Sequence, residues 1–364
     1  MTFITAILKE EPVVNNPAKK TQSALLSWSQ KTRQFFSRLR TLKWTENDNK
    51  SFHPFRGLVH KDIADHVRSW RFIILIAIIV LTCLGSVYTG ITNISKAVKP
   101  DDPEGFFFLK LYTLSDETLP PFFVFIGFLG PLLGIALGFD AVNSEQNRGT
   151  LSRILSQPVH RDYLINAKFV AALIVISVML FALTFMVMGL GIIIIGIPPT
   201  AEEFLRIVFF IILSIIYVAF WLNLSIFFSV RFRQPATSAM ASIAVWLFFS
   251  VFYLIIANLI AKALAPPETA SPQQIFNYEQ LRLNLMRILP NQLYSEATTS
   301  LLMPSVRSLG PLTMEQVYGT VPGPLPVGQS LLLVWPQVTV LTAATILCFV
   351  LSYVSFMKRE IRPR

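Results

Sequence analysis

Residues able to do chemistry are scarce in this chain, and most of them stand together. The stretch GFDAVNSEQNRGTLSRILSQPVHRDYLINAKFV, residues 138–170, holds three acids, four bases and a histidine. Elsewhere the constellations that chemistry needs are missing. The four histidines, His53, His60, His66 and His160, never take the HExxH spacing of a zinc helix. Cys83 and Cys348 each sit singly in an apolar run, so neither a disulfide framework nor a CxxC metal site is offered. With no methionine-rich run either, a soft-metal cargo is disfavoured. The sequence has no GxxxxGK[ST] loop, so ATP and its magnesium are not expected on this chain, nor is any other cofactor. A membrane-embedded enzyme would have only Asp101, Asp102, Glu104, Asp116 and Glu117 to work with, and solvated loop charges are the simpler reading of these.

The elements that position the 138–170 stretch are apolar helices. The chain has 364 residues, 53% hydrophobic and 14% charged, too apolar for an ordinary soluble domain. Crossing roughly 30 Å of hydrocarbon takes about 20 helical residues. Runs of that length occur near 72–91, 119–139, 169–197, 207–230, 236–261 and 331–357. None has a charge at its centre, which weakens the alternative of an ion-coupled secondary transporter. The fourth and fifth runs are parted only by SVRFRQPATS, a basic turn whose Pro235 predicts a tight hairpin rather than one long helix. The first long apolar run begins only at Phe72, so it reads as an uncleaved span and not as a secretory signal.

Six spans put both termini on one side, together with the 138–170 stretch. That side carries 23 of the 31 Lys and Arg residues, so the positive-inside rule makes it cytoplasmic. The expected protein is thus multi-pass in the cell membrane, with both termini in the cytoplasm. Its net charge of +10 reflects this asymmetry and does not call for nucleic-acid binding.

The fold class that follows is an all-α integral membrane protein. Residues 1–71 form a cytoplasmic extension, in which 22–43 gather Leu25, Trp28, Phe35, Phe36, Leu39 and Leu42 on one face flanked by bases. That pattern predicts a helix lying in the bilayer interface. A second amphipathic stretch, 55–71, places Phe55, Val59, Ile63, Val67 and Trp70 together and leads into the first span as an elbow. Residues 72–264 hold spans 1–5 with the cytoplasmic loop 140–168. Residues 265–330 form a small external cap, with a helix started by Ser271-Pro272-Gln273-Gln274 and running to about Leu289, and another after Pro290. Span 6 and a basic tail complete the chain at 331–364.

Within the loop region, Gly130, Gly134 and Gly138 recur every four residues, a small-residue stripe suited to close helix packing. Leu151, Ile154 and Leu155 make an apolar ridge on a short helix ended by Pro158, as a docking surface for a partner would. This arrangement resembles the membrane subunits of ATP-binding-cassette (ABC) transporters of the ABC type 2 family. Their loop between spans 2 and 3 follows D-x(4)-E-x(3)-GTL-x(3)-LS-x-P-x-x-R and then a lysine. Asp140, Glu145, Gly149, Thr150, Leu151, Leu155, Ser156, Pro158, Arg161 and Lys168 occupy those places. The resemblance covers roughly residues 55–364. It implies a permease whose coupling helix seats in separate ABC ATPase subunits that carry the ATP and magnesium. It further implies a second permease chain, most simply in a homodimer, and export as the direction. On that resemblance, ATPase coupling falls to Glu145, Arg148, Gly149, Thr150, Leu151, Ile154, Leu155, Pro158 and Arg161.

Overall fold

A computed structural model describes residues 54–97, 106–114, 120–156, 160–196, 198–267, 269–311 and 323–359. The expected interfacial helix at 22–43 and Pro158 lie outside the described residues, as does the greater part of the N-terminal extension. Among those described there are helices and no strands.

Six helical segments are long and apolar enough to cross a membrane. Span 1 is α2 (Trp70–Ala97), preceded by the elbow helix α1 (Pro54–Val67), and followed by the short α3 (Phe107–Thr113). Span 2 is α4 (Phe122–Gly138), which gives way to two short helical turns, α5 (Asn143–Asn147) and α6 (Thr150–Leu155). Span 3 is α7 (Arg161–Ile195) and span 4 is α8 (Ala201–Arg231). Span 5 comprises α9 (Pro235–Leu247), a π-helical turn at Phe248–Phe252, and α10 (Tyr253–Ala263). Then come α11 (Pro272–Met286), α12 (Pro290–Leu302) and span 6, α13 (Val327–Lys358).

Local chemistry sets the boundaries. Gly196 ends α7 in the left-handed conformation (φ 79°) that closes helices at low steric cost. Thr200 and Glu203 form a reciprocal capping box that starts α8, and Ser271 with Gln274 does the same for α11, with Pro272 at its first position. Pro235 likewise opens α9, so the basic turn does separate two helices. α11 stops three residues short of the expected end at Leu289.

α8 is the central post. Tyr217, Trp221 and Phe210 on it are fully buried, and α4, α7, α12 and α13 all pack against it. Gly130, Gly134 and Gly138 lie at the α4–α8 contact. A Cβ on Gly134 would stand 2.7 Å from the Val218 carbonyl, and one on Gly138 would stand 2.8 Å from that of Leu222. Only a hydrogen fits there. Span 5 is the least covered, with Met240, Ile255 and Leu259 all more than half exposed.

The segment between spans 5 and 6 departs from a simple external cap. α12 runs antiparallel to α8 between the spans. Arg206, fully buried near the start of α8, donates to the carbonyl of Leu301 at 3.0 Å. Eleven residues further down α8, about 16 Å at helical rise, Tyr217 stacks on Tyr294 with 4.3 Å between ring centroids and donates to the Gly127 carbonyl. Asn291, at the start of α12, meets both the Tyr217 hydroxyl and Ser250 in the π-helical turn of span 5. That length equals about half the hydrocarbon thickness, so α12 is a re-entrant helix inserted among the spans rather than a cap beyond them. Polar side chains at that depth are kept only where protein partners satisfy them, which these hydrogen bonds do.

Candidate functional site: the coupling loop and its charge cluster

At the C-terminal end of span 2 the chain leaves α4 and turns twice. Ser229 of α8 accepts hydrogen bonds from the Val142 and Asn143 amides at 2.9 and 3.3 Å, pinning the start of α5 to span 4. Gly149 then takes φ 68°, which an L side chain resists, and the chain reverses into α6 while Thr150 donates back to the Glu145 carbonyl. Asn147 donates to the Arg233 carbonyl in the turn between spans 4 and 5. The loop is therefore tied to two separate parts of the spans.

Glu145 points inward. Its carboxylate meets the ammonium of Lys168 on α7 at 3.0 Å and that of Lys61 on the elbow at 2.8 Å. Lys168 also lies 3.7 Å from Asp62 of the elbow, and Lys61 lies 3.8 Å from Asp62. Glu145, Lys168 and Asp62 are all buried. Two acids and two bases from three elements thus make one neutral cluster, roofed by the elbow. Burial pushes the Asp62 carboxyl above its ordinary pKa, with Glu145 and Asp65 adding to the rise against the pull of Lys168 and Lys61. Burial works against the Lys61 ammonium, but its bond to Glu145 and the nearby carboxylates outweigh it and raise that pKa. His66, one turn on, is lowered to about 4 by burial and by Lys168, so it is neutral at physiological pH.

Around this cluster the other loop residues divide. Arg148 and Gly149, with Asn147, form an exposed tip. Leu151 is buried in the main core at 3% exposure, and Ile154 packs against the same core. The expected outward ridge is thus corrected for these two residues: they anchor α6 to the spans. Leu155 lies in α6, and its side chain is outside the described placements. Arg161 donates to the Phe356 carbonyl at 3.0 Å and to that of Arg359, and lies over the Phe356 ring, so it caps the end of span 6. Arg359 in turn donates to the Val230 carbonyl at the end of span 4. Asp140 pairs with Arg71 at 2.7 Å.

The elbow's own partners were not legible as a site. Phe55, Leu58, Val59 and Ile63 pack on Ala167, Val170 and Ala171 of α7, so α1 is docked on span 3 rather than merely lying in the interface. Asp62 stands three residues after Val59, on the edge of an otherwise apolar face. An acid at that register was the signal that a buried cation awaited it.

The arrangement ties loop, elbow and span 3 together through buried ion pairs. Residues 57–361 match the family model described as ABC-2 family transporter protein. The chain belongs to the ABC-2 transporter family. No curated protein matches its sequence. As an ABC-2 permease it is a membrane protein and a transporter rather than an enzyme. The family also implies ATPase partners within the ABC system. The cluster just described falls within the matched residues.

Proposed function

We propose that this chain is the permease half of an ATP-driven exporter in the cell membrane, with both termini in the cytoplasm. Two copies form the pathway, and separate ATPase subunits engage the tip at Asn147–Gly149 and drive it. The carrying observation is the cluster of Glu145, Lys168, Lys61 and Asp62, which makes loop, elbow and span 3 move as one. A displacement of the tip cannot leave the spans unchanged without breaking buried ion pairs, each about 3–5 kcal/mol to disrupt from one side. ATP drives such a displacement only insofar as it favours one arrangement of the loop over another.

A second copy is supported by the re-entrant segment. Asn277, Gln280 and Asn284 lie on the exposed face of α11. Leu285 near its end accepts from the Tyr253 hydroxyl, ten residues or about 15 Å below the outer end of span 5. Asn284, one residue before, puts an open amide at that depth, which requires water or protein rather than lipid, and it adjoins the least covered span. A pathway between two chains supplies both.

The test is affinity purification of the tagged chain in mild detergent from its native membrane. An ATP-binding polypeptide should accompany the wild type and be lost with Arg148→Glu, a change at an exposed side chain that leaves the unfolding midpoint unaltered. Retention of the same polypeptide by the variant would refute the docking assignment.

A further inference from the structure

Between spans 1 and 3 the surface carries a groove of 400 Å³ with a wholly apolar lining. Phe72, Val175, Met179 and Leu183 are its buried floor, while Val67 and Val178 are at least half exposed along it. On α7 it extends from Ile174 to Met186, twelve residues or about 18 Å of helix, close to the depth of one leaflet's hydrocarbon at about 15 Å. The elbow closes one end: Ile63 and Val67 of α1 both line it. Half of the elbow's apolar face is thus seated on α7, and the remainder overhangs the groove.

The next residues in the chain are suited to a head group. Arg68 follows Val67 directly, is exposed, and makes no ion pair among the described residues. Its long stem lets the guanidinium reach the polar boundary from an apolar base. Trp70 is 77% exposed where α2 begins, the position an interfacial indole takes. Arg71 is already held by Asp140, so Arg68 is the cation left for a phosphate.

The geometry points to a resident anionic phospholipid, with one acyl chain in this groove and its phosphate on Arg68. Anionic rather than zwitterionic lipid is favoured because Asp65, the nearest acid on the elbow, lines the cavity of the charge cluster and not this groove, which leaves Arg68 as the charge beside it. Lipid in the groove completes the seat of α1, the helix that brings Lys61 and Asp62 to the coupling loop. A ligand that binds only the docked elbow stabilises that docking by mass action, so lipid occupancy and the integrity of the charge cluster are linked. This site stands apart from the transport reading and survives its failure.

Delipidated full-length protein titrated with phosphatidylglycerol or phosphatidylcholine, and followed by native mass spectrometry, tests the site. The wild type should retain one phosphatidylglycerol in preference to phosphatidylcholine. Val178→Trp, which fills the groove, should lose it, and Ile174→Phe, a milder filling from the same helix, should lose it too. Arg68→Gln should lower the head-group preference about fivefold while keeping the chain bound. Leu81→Trp, at a 72% exposed position of span 1 outside the groove, should behave as wild type. Equal retention by the filled-groove variants and Leu81→Trp, or no head-group preference in the wild type, would overturn the proposal.

Discussion

Lys168→Met exposes the energetics of the charge cluster most clearly. The Lys168 side chain is 7% exposed and lies between Glu145, at 11%, and Asp62, at 7%. Methionine keeps the volume and removes the cation, leaving two buried carboxylates with Lys61 as their remaining partner. Removing one member of a buried pair costs about 3–5 kcal/mol. Lys61, 2.8 Å from Glu145 but 44% exposed, offsets roughly 1 kcal/mol of that, as a half-solvated pair does. The expected loss is about 2–4 kcal/mol. Adding Glu145→Gln to Lys168→Met removes one stranded charge, so the double variant should be less destabilised than the two single losses combined, by at least about 1 kcal/mol. Equilibrium unfolding in mixed micelles provides the four corners of this cycle. Additive losses, or a Lys168→Met cost under about 1 kcal/mol, would refute the reasoning that the three buried groups act as one unit.

Other perturbations separate the remaining contacts. Gly134→Ala should destabilise by about 1–3 kcal/mol, since the new methyl meets α8 backbone at 2.7 Å. Gly57→Ala in the elbow, with nothing within 4 Å, should stabilise by about 0.5–1 kcal/mol; thermal unfolding with equal midpoints for the two would contradict both. Arg206→Met should cost about 3 kcal/mol or more, because the buried Leu301 carbonyl and Ser330 hydroxyl lose their donor; its check is faster proteolysis of the α12 segment. The pH dependence follows from His66. Its folded pKa of about 4 lies below the ordinary 6.5, so the unfolded chain binds the proton first and stability is lost as pH falls from 6.5 towards 4. Asp62, raised by burial, contributes with the opposite sign, its cost easing as pH falls. His66→Asn should therefore flatten the fall in unfolding midpoint between pH 7 and 5, and an unchanged slope would count against a buried neutral imidazole.

The spans and their ends were written in local chemistry, and so were legible. Periodicity and length gave six apolar runs, Pro235 marked the hairpin, and Ser271-Pro272-Gln273-Gln274 marked the start of α11. The loop's turn was legible through spacing, because Gly149 takes the left-handed conformation that reverses the chain and Glu145 sits one turn before it. What stayed hidden depended on partners far away in sequence. Lys61 and Glu145 are 84 residues apart, and nothing local in either announces the other. Leu151 illustrates a second limit. An apolar ridge on a six-residue helix fits a partner protein and the chain's own core equally well, and here the core took it. α12 shows a third: Tyr217, Ser214 and Asn291 are individually ordinary, and only their meeting with Tyr294 and Ser250 shows a helix sunk between spans.

The proposed coupling requires nucleotide bound to a separate ATPase to move the elbow and loop against the far ends of the spans. Cys83 and Cys348 are buried, so paired spin labels can be placed at Gly57→Cys in the elbow and Gln329→Cys in the first turn of span 6 without competition. In lipid nanodiscs, the distance between them should shift when a non-hydrolysable ATP analogue is added in the presence of the ATPase, and only then. A distance that ignores the nucleotide with the ATPase bound, or shifts equally without the ATPase, would contradict the proposed coupling.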